Sequence, residues 1–290
     1  MFDTHAHLNF SRFKNVADVR ERAREAGVTT IVVPGTDVES SKRAVELAKK
    51  YEGVYAAVGI HPHHVFTYMS RHSELDSESI KSDRSRIKSG MTNDLSNINR
   101  LLSHPKVVAG GEIGLDKHVY KQTKYESYHV TPEFITRQKQ LLIEQLQLAI
   151  THNKSVILHN REATDELLEL LINNWNTHFE GRMVFHCCEP DRRLLDFALT
   201  HHVYIGVDGD VTYDLTKQDF IKQVPLELLV VETDSPFLLP EPMRSRKEYP
   251  NEPKNIPVII EFIAKLFGKS REEIAEITTQ NATRLFQIFK

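Results

Sequence analysis

His5 and His7 stand two apart in the opening run Met1-Phe2-Asp3-Thr4-His5-Ala6-His7-Leu8. In a β-strand that spacing points both imidazoles to one face, where two nitrogen donors can hold a metal ion. Alone, the pair has a plainer explanation as two polar residues near a terminus. Other ionisable residues close apolar runs along the chain. His61 follows Tyr55 to Ile60, Glu112 lies within Gly110-Gly111-Glu112-Ile113-Gly114-Leu115-Asp116, His159 ends Val156-Ile157-Leu158-His159, His186 follows Met183 to Phe185, and Asp234 ends the run from Leu228. Burying unpaired charges at such positions is costly unless a cation compensates. Taken singly, His159 or His186 could be a hydrogen-bonded imidazole, Glu112 could pair with Arg161, and Asp234 could satisfy turn amides before Ser235-Pro236. Jointly they read as a metal centre, because those separate explanations give no reason for several strands to end this way.

Gathering these residues takes a scaffold whose strand ends converge. Eight β-rich runs are expected, from Phe2 to His7, Thr29 to Gly35, Tyr55 to His61, Val107 to Gly114, Ser155 to Asn160, Met183 to Cys187, Val203 to Val207 and Leu228 to Asp234. Between them, Val16, Val19, Ala23 and Ala26, then Ala44, Leu47, Ala48 and Tyr51, then Leu142, Leu146, Ala149 and Ile150 follow a helical period. Thr131-Pro132 marks a helix start. Eight successive βα units with mostly continuous apolar strands predict an α/β chain folded as a closed (β/α)8 TIM barrel, one domain over residues 1–290; a doubly wound open sheet is the alternative. In the barrel the carboxyl ends of all strands share one mouth. The segment at about 67–93 breaks the rhythm, being rich in Ser, Lys, Arg and Asp with too few apolar residues to fill a core. It reads as a polar insertion leaving the catalytic face, either a lid or substrate contact or a solvated surface loop.

Composition narrows the partners. The chain has 290 residues and a formal net charge of −3, and no Lys/Arg tract stands out, so it lacks the basic stripe of proteins that grip long nucleic-acid backbones. Any nucleic-acid partner must be held locally. Cys187 and Cys188 are the only cysteines; being adjacent, they give no disulfide framework, and they read as small buried residues rather than ligands. Asp3, His5 and His7 interrupt the opening positions where a secretory signal would need apolar residues, and no apolar run approaches the ~20 residues of a membrane helix. The expectation is a soluble cytoplasmic protein with no membrane partner and no obligate protein partner.

The residues also carry a family resemblance. Asp3-Thr4-His5-Ala6-His7-Leu8, Gly59-Ile60-His61-Pro62-His63, Gly111 to Asp116, Ile157-Leu158-His159-Asn160-Arg161, His186-Cys187, Glu232-Thr233-Asp234-Ser235-Pro236, Asn251-Glu252-Pro253 and Asn281-Ala282-Thr283-Arg284-Leu285-Phe286 are similar, in order and over nearly the whole chain, to the TatD family of metal-dependent hydrolases. The resemblance implies an amidohydrolase-like barrel with two divalent metal ions. By it, His5, His7, Glu112 and Asp234 hold one ion, Glu112 bridges to a second held by His159 and His186, and His61, His63 and Arg161 serve the substrate. Three departures from the family pattern stand out: Cys188-Glu189-Pro190 after His186-Cys187, Lys117-His118 after Asp116, and the segment at about 67–93. None touches an expected ligand, so chemistry is better defined than substrate choice.

Two cations held a few ångströms apart would supply Lewis acidity to a phosphoryl oxygen and an acidified water. Asp234 is then the expected proton acceptor and Arg161 the expected phosphate clamp. A His-rich set with two carboxylates suits Zn, Mn or Co, with Mg also possible. The expected reaction is phosphodiester hydrolysis, a 3'-5' exodeoxyribonuclease trimming single-stranded or frayed DNA ends, with RNA as a further substrate. Two alternatives remain open: a deacylase of D-aminoacyl-tRNA or another ester or amide hydrolase, and a metal-holding interaction module without catalysis.

Overall fold

Short β-branched and alanine-rich runs form eight parallel strands, each hydrogen-bonded to the next in chain order. The computed structural model describes residues 1–69, 80–121, 123, 125 and 128–288, with the side chains of 68–69 and 80–90 left aside. The strands are β1 (Phe2–Asp3), β2 (Thr30–Pro34), β3 (Val54–Val58), β4 (Val107–Asp116), β5 (Ser155–Arg161), β6 (Met183–Phe185), β7 (Tyr204–Val207) and β8 (Leu229–Val231). The main intervening helices are α1 (Val16–Glu25), α2 (Val38–Lys50), α3 (Phe66–Met69), α4 (Ile80–Leu102), α5 (Pro132–Thr151), α6 (Thr164–Asn173), α7 (Arg192–His201) and α8 (Leu215–Ile221), with α9 (Ile256–Phe267) and α10 (Arg271–Phe286) at the end. The first and last strands meet: Thr4 N donates to Val231 O at 3.1 Å, Asp234 N donates to His5 O at 2.9 Å, and Ala6 and Ser235 form a parallel bridge. Those contacts decide for the (β/α)8 barrel over an open sheet.

Strand alternation sorts the apolar residues into two layers. Phe2, Val32, Ala57, Ala109, Ile157, Val184, Tyr204 and Val230, one from each strand, form a cluster closed off by Ala282, Leu285 and Phe286 of α10. Their neighbours in sequence, among them Ile31, Val33, Ala56, Val58, Val156 and Leu158, face the helices. Local chemistry sets the helix starts. Thr131 accepts from Phe134 N at 3.1 Å with Pro132 in the first turn of α5, as its sequence predicts, and Asp37 and Ser40 form a reciprocal capping box on α2. No described helix is long and apolar enough to cross a membrane.

Two expectations need correction. Several strands stop earlier than the sequence suggests: β1 ends at Asp3, β3 at Val58, β6 at Phe185 and β8 at Val231. His5, His7, His61, His186 and Asp234 therefore stand just beyond the regular ladder, where backbone groups bond individually, as Ala6 N does to Val32 O and His7 N to Ser235 O. The polar segment at about 67–93 is also not loop throughout. Its later part belongs to α4, whose Met91, Leu95, Ile98 and Leu102 are buried at helical spacing. Residues 70–79, the middle of the expected insertion, lie outside the described residues.

Candidate metal centre

Glu112 is the hub. The register between β4 and β5 shifts between Gly110 and Ile113, taking Glu112 out of the regular ladder, while its backbone N donates to Gly35 O at 2.8 Å. Its two carboxylate oxygens face different partners. Oε2 lies 3.6 Å from His5 Nε2 and 3.5 Å from His7 Nε2, whereas Oε1 lies 2.8 Å from His159 Nδ1, 3.7 Å from His186 Nε2 and 3.5 Å from His61 Nε2. Asp234 completes the first group, its Oδ1 3.7 Å from His5 Nε2 and 3.5 Å from His7 Nε2, while the two imidazole nitrogens are 3.1 Å apart. Asp234 holds this place from a left-handed backbone (φ 48°), which aspartate tolerates better than most side chains.

These spacings fit a cation. Ligand atoms bound at about 2.0–2.2 Å around a tetrahedral ion stand roughly 3.3–3.6 Å from one another. His5 Nε2 and His7 Nε2 lie 3.1 Å from each other, 3.6 and 3.5 Å from Glu112 Oε2, and 3.7 and 3.5 Å from Asp234 Oδ1, close to those distances. Glu112, His159 and His186 bring a second set of ligand atoms within 4.8 Å of one another.

Hydrogen bonds behind the imidazoles say which nitrogen is free. His159 Nε2 pairs with Asp116 Oδ2 at 3.0 Å, which leaves Nδ1 turned to Glu112. His186 Nδ1 pairs with Glu232 Oε1 at 3.0 Å, which leaves Nε2 turned inward. His61 is the opposite case. Its Nδ1 accepts from His63 N at 3.1 Å, so the neutral ring carries its proton on Nε2 and presents a donor, not a lone pair, to the centre. Burial holds His61 well below the usual imidazole range, in keeping with that neutral form.

The field of the centre favours positive charge. Burial would raise the Glu112 carboxyl, yet the surrounding imidazoles keep it well below the usual carboxylate range. Burial also opposes charge on His186 and His159, but Glu232 outweighs it for the first, pushing it up to about 10, and Asp116 with Glu112 for the second, to about 9. Protons and metal ions compete for such lone pairs, so these imidazoles would give up a proton where they hold a metal ion.

The orienting carboxylates Asp116 and Glu232, together with Asp3, were not among the site residues expected from sequence. Asp116 also accepts from Tyr120 Oη at 2.7 Å and from His118 N at 2.8 Å. Glu232 accepts from Cys187 N and from Thr4 Oγ1 at 3.2 Å, in space left by Gly206, whose absent Cβ would stand 2.6 Å from the carboxylate. Asp3 holds His5 N at 3.2 Å and Thr233 Oγ1 at 2.7 Å, tying the first histidine strand to the last. A sequence signal existed: Asp3 and Glu232 each stand two residues before an expected ligand and so share its side of an extended chain. Asp116→Asn or Glu232→Gln should each weaken metal affinity about 10–100-fold, measured by competition with a chelator, with the fold retained.

The seventh strand ends in ionisable residues too, also unforeseen. Cys187, Asp208 and Asp210 bring ligand atoms close together, but Lys217 Nζ, itself buried, lies 3.3 Å from Asp210 and 4.0 Å from Asp208 and donates to Cys188 O at 2.7 Å. This cluster carries its own cation.

The remaining expected site residues separate. Arg161, at the end of β5, is exposed and makes no ion pair among the described residues; instead of pairing with Glu112, it donates to Tyr120 Oη at 3.3 Å and lies over that ring at 5.2 Å. His63 lines the same cavity, bonded to Thr123 Oγ1 at 2.9 Å and stacked on Tyr128 at 4.6 Å. The departure at Cys188-Glu189-Pro190 has a structural use: Glu189 accepts from Asn160 Nδ2 at 3.0 Å and from Glu162 N at 3.0 Å, pinning the residues on either side of Arg161. The mouth opens into a cavity of about 1720 Å³ lined by these groups. That exceeds the ~300–1,000 Å³ of an ordinary small-molecule pocket.

Comparison with known proteins places the chain in a family of metal-dependent hydrolases. A family model described as TatD related DNase matches residues 2–287. The chain is 34% identical over 291 residues, covering 99% of both sequences, to the uncharacterized metal-dependent hydrolase YabD of Bacillus subtilis (strain 168). It is 30% identical over 293 residues, again covering 99% of both, to the 3'-5' ssDNA/RNA exonuclease TatD of Escherichia coli (strain K12). Among solved structures, YJJV, a TatD homolog from Escherichia coli K12, superposes with a TM-score of 0.78 at 29% identity over 99% of this chain and 98% of that one.

Proposed function

We propose, from the premise that this chain belongs to the TatD family of metal-dependent hydrolases, that it hydrolyses phosphodiester bonds at the ends of single-stranded or frayed nucleic acid. One juxtaposition carries the reading: the divided carboxylate of Glu112 faces two sets of ligand atoms in the same cavity wall that presents the guanidinium of Arg161, which makes no ion pair among the described residues. His5, His7, Glu112 and Asp234 would hold one divalent ion, and Glu112, His159 and His186 a second. When bound, such a pair supplies Lewis acidity and charge neutralisation for an in-line displacement at phosphorus.

The chain's own groups do the rest. Arg161 grips the phosphate through its planar fork, and His61 Nε2–H donates to a phosphoryl oxygen. Asp234 takes the proton from the attacking water; the water oxygen bonds to phosphorus as the bond to the departing sugar oxygen breaks, and Asp234 gives that proton up to the departing oxygen, which regenerates the carboxylate. The large cavity and the formal charge of −3 both favour a strand end held by a few phosphates over a wrapped duplex. The relative named as a 3'-5' ssDNA/RNA exonuclease supports the same direction of digestion.

Side-by-side assays with an end-labelled single-stranded oligonucleotide and a D-aminoacyl-tRNA test this. Stepwise release of mononucleotides from the labelled strand, with the aminoacyl ester left intact, is expected. Deacylation without nucleotide release would replace this reading with the esterase one.

A further inference from the structure

The rim of the mouth is chemically divided, and we propose that its β1/β8 side is a base-stacking clamp in which Phe10 and Phe237 receive a nucleobase flanking the scissile phosphodiester. The clamp rests on the nucleic-acid reading above and adds where the base goes. Phe10 follows β1 and Phe237 follows β8, the two strands whose ends are joined by the Ala6 to Ser235 bridge. The rings meet edge to face, 6.3 Å between centroids at 75°, and both line the cavity. One face of Phe10 is covered by His7, stacked at 4.3 Å and 13°, so the rim aromatics continue directly from an imidazole that faces Glu112. Phe237 remains 46% exposed. A phenyl ring held in water at the mouth of a polar cavity forgoes hydrophobic burial that a stacked base would restore.

Across the barrel the aromatic surface is already in use. In a closed ring of eight strands, β4 and β5 lie opposite β8 and β1. There the Tyr120 hydroxyl is bonded to Asp116 and its face is covered by the Arg161 guanidinium. A strand lying across the mouth with its phosphate at Arg161 thus turns the neighbouring base toward Phe237. Arg12, exposed on the same cavity wall and without an ion pair among the described residues, is available to a further phosphate. Every base has a π-face, so such a clamp tolerates any sequence, but it needs a base that is not already stacked in a duplex. Single-strand selectivity then follows from the rim rather than from the metal ligands.

Equilibrium binding tests the clamp without turnover. Fluorescence anisotropy in EDTA would compare a labelled single-stranded oligonucleotide with the same strand made abasic at its terminal nucleotides, using wild type, Phe237→Ala and Phe237→Tyr. Phe237→Ala should weaken binding of the intact strand about tenfold, a typical loss for one base–aromatic stack, and leave binding of the abasic strand unchanged. Phe237→Tyr should bind as wild type. Equal weakening of both strands, or none, would overturn the clamp while nucleotide release by wild type still stood. A wild type that neither binds nor hydrolyses oligonucleotides would overturn the nucleic-acid reading itself.

Discussion

Glu112→Ala should abolish metal-dependent phosphodiester hydrolysis, lowering kcat by roughly a thousandfold or more, and should leave the purified protein with less bound metal than wild type. Its two carboxylate oxygens face both groups of imidazoles: Oε2 lies toward His5 and His7, and Oε1 toward His159, His186 and His61. Removing it deletes one ligand from each set, along with the charge that draws cations into a buried ring of histidines. Groups that stabilise developing charge are each worth about 10²–10³ in rate, and loss of the shared one affects both sides of the displacement. Metal analysis beside an end-label assay reads both effects. Wild-type turnover in Glu112→Ala would remove Glu112 from the mechanism.

Asp234→Asn separates proton transfer from ligation. Asparagine keeps an oxygen where Asp234 Oδ1 faces His5 and His7, so metal content should stay close to wild type. What it loses is the ability to accept a proton from the attacking water. A fall in kcat of about 10²–10⁴-fold is therefore expected, with oligonucleotide binding in EDTA nearly unchanged. An unchanged kcat with full metal content would assign the base elsewhere. Loss of metal together with activity would make Asp234 a ligand whose carboxylate charge, rather than its basicity, is what the centre needs.

Much of the fold was legible because its signals are local and repeated. Apolar runs such as Val156-Ile157-Leu158 mark buried parallel strands, and an abrupt change to His159 or Asp234 marks the mouth. The bringing together of His5, His7, Glu112, His159, His186 and Asp234 follows from the barrel, since topology alone carries those strand ends to one place. Other features depend on three-dimensional partners. Whether an imidazole offers a lone pair or a proton is set by what lies behind it: Asp116 for His159, Glu232 for His186, and the His63 amide for His61. Residue type says nothing of this. The buried stripe Met91, Leu95, Ile98 and Leu102 was hidden because it is narrow and starts inside a Ser- and Lys-rich stretch, so the part of α4 up to about residue 93 reads as polar insertion. Glu189 looked like a departure from a pattern until its carboxylate was found holding the backbone beside Arg161.

The most direct test of the central claim is metal reconstitution of chelated protein, following nucleotide release from an end-labelled single strand as Mn²⁺ or Zn²⁺ is added back. Turnover should be absent after chelation and should return in proportion to bound metal, reaching its plateau at two ions per chain in wild type and not recovering in Glu112→Ala. Full nucleotide release from chelated protein with no bound metal would contradict a hydrolytic centre built on His5, His7, Glu112, His159, His186 and Asp234.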